Sequence, residues 1–441
     1  MLRKVEACIC VLVFLLSWSV SVKILGMSDK KHKKILILFT LIFVFGLATK
    51  LVRLGTPKDF YFDEVYHAYT ARLYLHGDKA AYDPYAKAPQ GMAVEWTHPP
   101  LSKLIMAGMM GVFGENSVGW RMGSVLFGTG AIVATAALAY TLFHSTTIAL
   151  LAMLLMSLET LVMAQSRIAM NDSYFVFFML CALLSYVRFK REPSRLAPLY
   201  LTGIALGLSI ATKWTALYVF AIIGLDLARD IVWKGRWPKG ASFLHMVVAL
   251  SVVPAVLYIA SYTQFFLLGW GWDDLGKLQS QMWHYHNNLS ATHSYSSKPW
   301  QWLLNIRPVW MYVDYSNPQK IGNIYNLGNT VILYTGLFAV LMTLFRDKTS
   351  SWEKWFVLLI YFALWVPWII SPRIMLFYHY MPAIPALCIV LARWLEQRRT
   401  IAKAVLAGAF IWFVLFYPHI TAIRVPKAFA EAIYFPIASL R

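Results

Sequence analysis

The residues best suited to chemistry in this chain are two adjacent acids, Asp63 and Glu64. They lie near the start of the first long polar passage, FYFDEVYHAYTARLYLHGDKAAYDPYAKAPQGMAVEWTHPPLSKL, in a sequence otherwise dominated by apolar runs. Acids are common in the first turn of a helix, where they face the positive end of the helix dipole, so their position has a structural explanation. The functional alternative is that one carboxylate accepts a proton from an attacking hydroxyl group.

Charged residues at or inside apolar segments are the second notable feature. Each one alone is explained by snorkelling, in which a long side chain near the end of a span reaches the interface. On the topology predicted below, however, all of them lie on the side that carries the acid pair, which predicts a site that holds a phosphate beside a base. They are Arg121, Arg167, Asp172, Lys213 and Arg373.

The composition places the chain in the membrane. The 441 residues are 59% hydrophobic and 14% charged, and their mean hydropathy is +0.56, which together indicate an all-α integral membrane protein. The net charge of +19 comes from basic residues between apolar segments, as the orientation rule for membrane proteins expects, so nucleic acid is not a predicted partner. The four cysteines lie within apolar runs and indicate neither disulfides nor a metal site.

The apolar runs predict about eleven transmembrane helices, because each is near the length that a bilayer core demands. Clusters of Lys and Arg between them fall consistently on one side, which is predicted to be cytoplasmic. The other side receives two longer loops, at 54–117 and 263–328, which are predicted to form interfacial helices around one external cavity. The predicted spans lie at about 35–53, 118–143, 146–165, 171–188, 197–212, 214–232, 243–262, 329–346, 353–370, 377–394 and 401–418.

The start of the chain allows two interpretations. Residues 1–26 are either an extra N-terminal helix or a mis-assigned start upstream of Met27. Residues 27–441 are expected to form the transmembrane domain in either case.

Seven blocks together resemble, in chain order, the protein O-mannosyltransferase family of GT-C glycosyltransferases. The resemblance extends from about Phe60 to about Leu391 and implies a GT-C fold. Eukaryotic members carry a β-trefoil MIR domain in the later external loop, and 263–328 is too short to hold one. The blocks are FDEVYHAYTARLYLHG, HPPLSKL, GWR, SRIAMNDSYFVFF, LSIATKWTALYVF, SKPWQWLLNIRPVWMY and FYHYMPAIPAL.

The resemblance implies that mannose passes from a polyprenyl-phosphate donor to Ser or Thr hydroxyls of exported proteins. The implied reaction is an inverting single displacement at the outer face of the cell membrane, with no metal and no cofactor. Asp63 matches the catalytic base, Glu64 its neighbour in the motif, and Arg121 the arginine that faces the lipid phosphate. Further expected contacts to the donor phosphate are Lys103, Arg167 and Lys213, and the expected residues of the substrate cavity are His98, Asp172, Arg307 and Tyr312.

Elementary chemistry agrees with such a site. A carboxylate can take the proton of the attacking hydroxyl without a covalent intermediate. The leaving phosphate already carries charge, so it needs fixed cations more than it needs a protonating acid. Chemistry alone does not choose between the two acids, since neighbours at a helix start point in different directions, and the preference for Asp63 comes from the resemblance.

Other classes of protein remain open at this stage. A related lipid-linked sugar transferase could act on a glycolipid or cell-wall acceptor, as do the aminoarabinose transferases that share the fold, and a transporter would also have many spans with internal charges. His284, His286 and His293 could suggest a metal site, but no nearby acid or Cys completes one. The predicted partners are therefore the lipid-linked donor, the exported acceptor and the bilayer, and a dimer is left open.

Overall fold

A computed structural model describes residues 29–288 and 292–436. The N-terminal helix or mis-assigned start considered at 1–26 lies outside these residues. The described chain is almost entirely helical, with a small three-stranded sheet.

The helices follow the apolar segments of the sequence. Short 3₁₀ or π turns interrupt or extend several of them, as at Val248–Val252, Val366–Ile370 and Phe377–Ala383. In chain order they are α1 (Asp29–Leu51), α2 (Glu64–Leu75), α3 (Leu101–Phe113), α4 (Ser117–Phe143), α5 (Thr146–Leu158), α6 (Thr160–Gln165), α7 (Asp172–Arg191), α8 (Leu196–Ile210), α9 (Leu217–Ala228), α10 (Phe243–Ala260), α11 (Thr263–Leu267), α12 (Trp272–Asn288), α13 (Pro299–Leu303), α14 (Thr330–Phe345), α15 (Trp352–Trp365), α16 (Ile384–Glu396), α17 (Arg399–Thr421) and α18 (Lys427–Ile433).

Six helices in the described part of the chain are long and apolar enough to cross a membrane. Helices α4 and α7 lie at the centre of the bundle, since 78% of the apolar window of each is buried within the protein. Helices α1, α10 and α17 are mostly exposed, as helices that face lipid would be. The six are Lys30–Leu51, Ser117–Phe143, Asp172–Arg191, Phe243–Ala260, Trp352–Ile370 and Arg399–Thr421.

The span predicted at 146–165 is two helices instead of one. Glu159 ends α5 and caps α6, because its Oε2 accepts a hydrogen bond of 2.9 Å from the backbone N–H of Val162. Its Oε1 accepts a second one, also of 2.9 Å, from the backbone N–H of Asn329. A fully buried carboxylate needs such donors, and they explain why the helix breaks at this residue.

The two polar loops contain the remaining elements. The loop at 54–117 includes α2 and α3, and the loop at 263–328 begins with α11, α12 and α13. The second loop then forms a hairpin of β1 (Val309–Asp314) and β2 (Lys320–Asn326), and β3 (Val425–Pro426) pairs with the outer side of β2. This hairpin adds to the predicted interfacial helices, and it ties the second loop to the chain after α17.

Candidate active site

Asp63 lies immediately before the first residue of α2, and its side chain is not used to cap that helix. It occupies the N-cap position, yet within the described residues its carboxylate makes no capping hydrogen bond. The Tyr378 hydroxyl donates a hydrogen bond of 3.4 Å to Asp63 Oδ2. The Asp63 carboxylate therefore faces a cavity, and its hydrogen-bond partner Tyr378 comes from a segment far away in the sequence.

Glu64 faces the opposite way. It is fully buried, and its two oxygens receive a bidentate hydrogen bond from the Arg121 guanidinium, at 2.7 Å from Nε and 2.8 Å from Nη2. The backbone N–H of Ala169 and the indole N–H of Trp120 also donate to this carboxylate, at 3.1 and 3.3 Å. Glu64 thus serves as an acceptor inside the protein and does not reach the cavity.

Arg121 has no hydrogen-bond donor left for a ligand. Besides its two bonds to Glu64, it donates to the carbonyl groups of Leu54 and Pro57 at 2.9 and 2.7 Å, and to that of Asp59 at 3.2 Å. These five bonds account for every N–H of a guanidinium, and the side chain is completely buried. Arg121 therefore holds the segment before Asp63 in place through its carbonyl groups. This arrangement differs from the contact with a lipid phosphate that the sequence led us to expect.

A cavity of about 410 Å³ lies beside Asp63. Its walls come from both polar loops, from the starts of α7 and α9, and from the segment between α15 and α16. Its charged and titratable lining residues are Asp63, His67, His98, Asp172, Lys213, Tyr218, His286, Arg373, Tyr378 and His379. Of the expected site residues, the fold therefore brings Asp63, His98, Asp172 and Lys213 together.

Lys213 supplies one cation to this cavity. Its ammonium donates a hydrogen bond of 2.8 Å to Asp172 Oδ1, and both side chains are largely buried. An ammonium has further N–H donors beyond the one that Asp172 takes. Asp172 therefore orients the cation and leaves it able to bind an anion in the cavity.

Arg373 supplies the second cation. Its Nη1 donates to His286 Nδ1 at 2.6 Å, and His286 Nε2 donates to the Thr97 carbonyl at 2.7 Å. Since a guanidinium can only donate, His286 is neutral with its proton on Nε2. Burial and the nearby Arg373 lower the pKa of His286 to about 4, in agreement with that neutral state.

Glu95, which the sequence did not single out, joins the HPPL motif to α3. Its carboxylate binds the Lys103 ammonium and the His98 ring, the latter at 2.9 Å, and its backbone N–H donates to the Thr70 hydroxyl at 2.7 Å. Burial alone would raise the pKa of Glu95, but Lys103 and His98 outweigh it and hold that pKa well below its usual range. Lys103 is fully buried in this network and lies beneath the cavity wall.

Three further residues expected in the site lie away from the cavity lining. Arg167 donates to the carbonyl groups of Lys50 and Val52, at 2.5 and 2.8 Å, and so caps the C-terminal end of α1. Arg307 donates to the Ser294 carbonyl at 2.7 Å within the second loop. The Tyr312 ring on β1 packs edge-on against Tyr61, with ring centroids 6.0 Å apart.

Asp63 has the electrostatics of a base that works near neutral pH. Burial, followed by the negative charge of Asp172, raises the pKa of Asp63 to about 7, against the lowering effect of the Tyr378 hydrogen bond. A carboxylate with such a pKa is a stronger proton acceptor than an ordinary one, and about half of it is ionised at neutral pH. Within residues 29–288 and 292–436, no three His, Cys, Asp or Glu side chains converge as metal ligands would.

An apolar groove of about 580 Å³ adjoins the cavity. It runs between α8, α9, α10 and α12, and it shares Trp214, Leu217 and Trp283 with the cavity lining. Most of its lining is apolar, and α10 is one of the exposed helices of membrane length. The polar cavity and the apolar groove thus adjoin each other in one site.

This bundle, with a polar cavity between its loops, has the GT-C fold of membrane glycosyltransferases. The structure matches that of the S. cerevisiae protein O-mannosyltransferase Pmt1-Pmt2 complex bound to the sugar donor, with a TM-score of 0.77, 14% identity and coverage of 96% of this chain and 94% of that chain. It also matches ArnT from Cupriavidus metallidurans bound to undecaprenyl phosphate, with a TM-score of 0.61, 15% identity and coverage of 87% and 76%.

The chain belongs to the dolichyl-phosphate-mannose-protein mannosyltransferase family, whose model matches residues 40–268. Residues 271–431 match the model of the C-terminal four-TMM region of protein-O-mannosyltransferase. The chain is 26% identical to the polyprenol-phosphate-mannose–protein mannosyltransferase of Corynebacterium glutamicum over 365 residues, which cover 67% of this chain and 69% of that protein. The resemblance noted in the sequence is thereby confirmed.

Proposed function

We propose that the protein transfers mannose from a polyprenyl-phosphate donor to Ser or Thr hydroxyls of exported proteins. The observation that carries the proposal is that Asp63, Lys213 and Arg373 line one cavity, which is continuous with an apolar groove. The family and the relative from Corynebacterium glutamicum support mannose and a protein acceptor.

Asp63 is the proposed catalytic base. The acceptor hydroxyl approaches the anomeric carbon from the side opposite the phosphate and gives its proton to the Asp63 carboxylate as the new C–O bond forms. A single displacement of this kind inverts the anomeric configuration. The raised pKa of Asp63 supports the role, because it makes the carboxylate a stronger proton acceptor.

Lys213 and Arg373 are the proposed partners of the leaving phosphate. As the bond between the anomeric carbon and the phosphate oxygen breaks, its electron pair stays on that oxygen, and the two cations stabilise the added charge. Both are held by neighbours, Lys213 by Asp172 and Arg373 by His286, so little reorganisation is needed during the reaction. Lys213 was expected in this role from the sequence.

Glu64, Arg121, Glu95 and Lys103 are proposed as positioning residues. Glu64 and Arg121 hold the chain on either side of Asp63, and Glu95 and Lys103 hold the HPPL segment that places His98 in the cavity. Each pair is buried and hydrogen-bonded, so neither partner can leave without stranding a charge inside the protein.

The apolar groove is the proposed path of the polyprenyl chain. A lipid tail in the bilayer can reach the groove past the exposed α10 while its phosphate enters the cavity. The proposed orientation puts the two polar loops on the extracytoplasmic side of the cell membrane, since the clusters of Lys and Arg lie at the opposite ends of the helices.

The experiment is a transfer assay with the purified protein in lipid nanodiscs. Labelled polyprenyl-phosphate mannose and a Ser/Thr-rich peptide are expected to yield labelled peptide. A control peptide that lacks Ser and Thr is expected to stay unlabelled. Label that passes only to a glycolipid fraction of added membranes would overturn the choice of acceptor.

A further inference from the structure

Another cavity, of about 280 Å³, lies apart from the catalytic one. It is formed where the β-hairpin, the start of α14 and the C-terminal half of α17 meet. None of its lining residues lines the catalytic cavity or the apolar groove. The lining comprises Leu304, Asn305, Ile306, Pro308, Tyr325, Leu327, Thr330, Tyr334, Trp412, Phe416, His419 and Tyr434.

Aromatic side chains make up much of its walls. The His419 ring is stacked between Tyr325 and Tyr434, with ring centroids 4.3 and 4.1 Å away. Trp412 and Phe416 form a second stack at 4.0 Å. These stacks fix the rings against one another, so the apolar walls of the cavity are preformed for a ligand.

Three polar atoms in this lining have no hydrogen-bond partner among the described residues. They are the Tyr325 hydroxyl, Trp412 Nε1 and His419 Nδ1, and Tyr325 and His419 are only 1% and 2% exposed. Leaving a buried donor or acceptor unpaired costs free energy, because the group has lost its hydrogen bonds to water. Buried polar groups are usually satisfied, so three such atoms around one cavity point to a ligand that bonds to them.

The chemistry of the lining defines the class of that ligand. None of the lining residues is Asp, Glu, Lys or Arg, so the cavity offers no partner for a phosphate or a carboxylate. The volume is just below the range of about 300–1,000 Å³ usual for drug-sized ligands, which suits a single ring. We propose that this cavity binds a neutral hexosyl group, with its C–H face on the aromatic rings and its hydroxyls on the three polar atoms.

The same hexosyl chemistry has two sources. Leu304 and Tyr334 are 41% and 46% exposed and stand at the edge of the cavity, one in the second loop and one in the first turn region of α14. The sugar can therefore belong to a soluble glycan or to a glycolipid in the bilayer. None of the proposed catalytic residues lines this cavity, so a substitution here leaves the catalytic side chains unchanged.

The test uses the full chain in nanodiscs prepared without sugar-based detergents, whose headgroups would compete. Saturation-transfer NMR measures binding of methyl α-mannoside in one arm, and the other arm measures binding of mannosyl diacylglycerol in the nanodisc. Tyr325→Phe and Trp412→Phe keep a ring and remove a polar atom, and Asp63→Asn separates this site from the catalytic cavity. Tyr315→Phe on the exposed hairpin turn is the matched control.

The proposal is supported if binding in either arm weakens at least fivefold in Tyr325→Phe and Trp412→Phe. Binding should be unchanged in Asp63→Asn and Tyr315→Phe. The arm in which binding is seen identifies the source of the sugar. A thermal melt without sugar serves as the check on folding, and Tyr325→Phe is expected to be as stable as the original protein because it removes an unpaired hydroxyl. The absence of binding in both arms, or equal affinity in the cavity variants and the control, would overturn the proposal.

Discussion

Asp63 and Glu64 are neighbours in the chain, but their carboxylates lie in different compartments. Asp63 faces the cavity and accepts a hydrogen bond from Tyr378, whereas Glu64 is sealed inside the protein against Arg121. One acid is thus available to substrates while the other fixes the turn that presents it.

The buried pair of Glu64 and Arg121 is expected to control stability and not donor affinity. Arg121→Ala leaves the Glu64 carboxylate buried without its cation, which costs about 3–5 kcal/mol in comparable cases. The expected result is a clear fall in Tm and in kcat, with the KM for the lipid donor nearly unchanged. Thermal denaturation and steady-state kinetics measure the two effects.

The matched control for that pair is Arg72→Ala. Arg72 is paired with Glu115 on the exposed surface, where such pairs contribute about 0–1 kcal/mol, so its Tm should barely move. If Arg121→Ala had a normal Tm and a KM for the donor raised tenfold or more, the result would contradict this prediction and indicate that Arg121 binds the donor phosphate.

Arg373 is expected to act on the donor phosphate. Charge-assisted hydrogen bonds are worth about 1.5–3 kcal/mol, so Arg373→Ala should lower kcat/KM for the donor roughly tenfold to a hundredfold. His286→Ala should give a smaller loss, since it removes only the group that orients Arg373. Arg307→Ala is the control, because Arg307 lies outside the cavity lining, and an equal loss in that variant would argue for a general charge effect.

The pH profile is expected to follow the titration of Asp63. Its raised pKa of about 7 means that the carboxyl is protonated and inactive in acid, so kcat/KM should rise with pH and level off above that value. The Tyr378 hydrogen bond favours the charged form, and its removal in Tyr378→Phe should move the acid limb to higher pH. A limb that stays in place in Tyr378→Phe, as it should in the Tyr315→Phe control, would contradict this assignment.

The apolar groove is expected to select for the length of the lipid. Ala255 lines the groove, and Ala255→Trp should obstruct it without touching the polar cavity. Activity with a long polyprenyl-phosphate mannose should fall at least tenfold, while activity with a short-chain analogue such as citronellyl-phosphate mannose should change little. Equal losses with both donors would place the lipid elsewhere.

The sequence predicted the helical bundle because long apolar runs favour helices in a bilayer, although only six helices in the described residues have membrane length. It did not predict the break at Glu159, since a buried acid ends a helix only when donors such as the Asn329 N–H reach it from elsewhere in the chain. Nor did it predict the hairpin, because short strands in an aromatic loop carry little periodic signal.

The sequence also anticipated part of the cavity lining. Asp63, His98, Asp172 and Lys213 were placed near one another by their shared side of the membrane, and the structure puts them around one cavity. Arg121 and Arg167 were predicted on the same side of the membrane, but neither lines the cavity. Arg121 binds Glu64 and backbone carbonyl groups, and Arg167 binds backbone carbonyl groups.

Two residues near the cavity were not singled out from the sequence, for different reasons. Glu95 could have been noticed as the acid just before the HPPL motif, while Tyr378 is 315 positions from the Asp63 carboxylate that it contacts.

The most direct test of the account is the rate of mannosyl transfer by Asp63→Asn beside Glu64→Gln. General-base catalysis contributes about 10²–10⁴-fold, so Asp63→Asn should lose activity on that scale while its Tm stays equal to or above that of the original protein. Such a Tm is expected because removing a carboxyl with a raised pKa removes a charge that burial disfavours above neutral pH. Glu64→Gln should instead lose stability. An Asp63→Asn protein with substantial transfer activity would contradict the central claim.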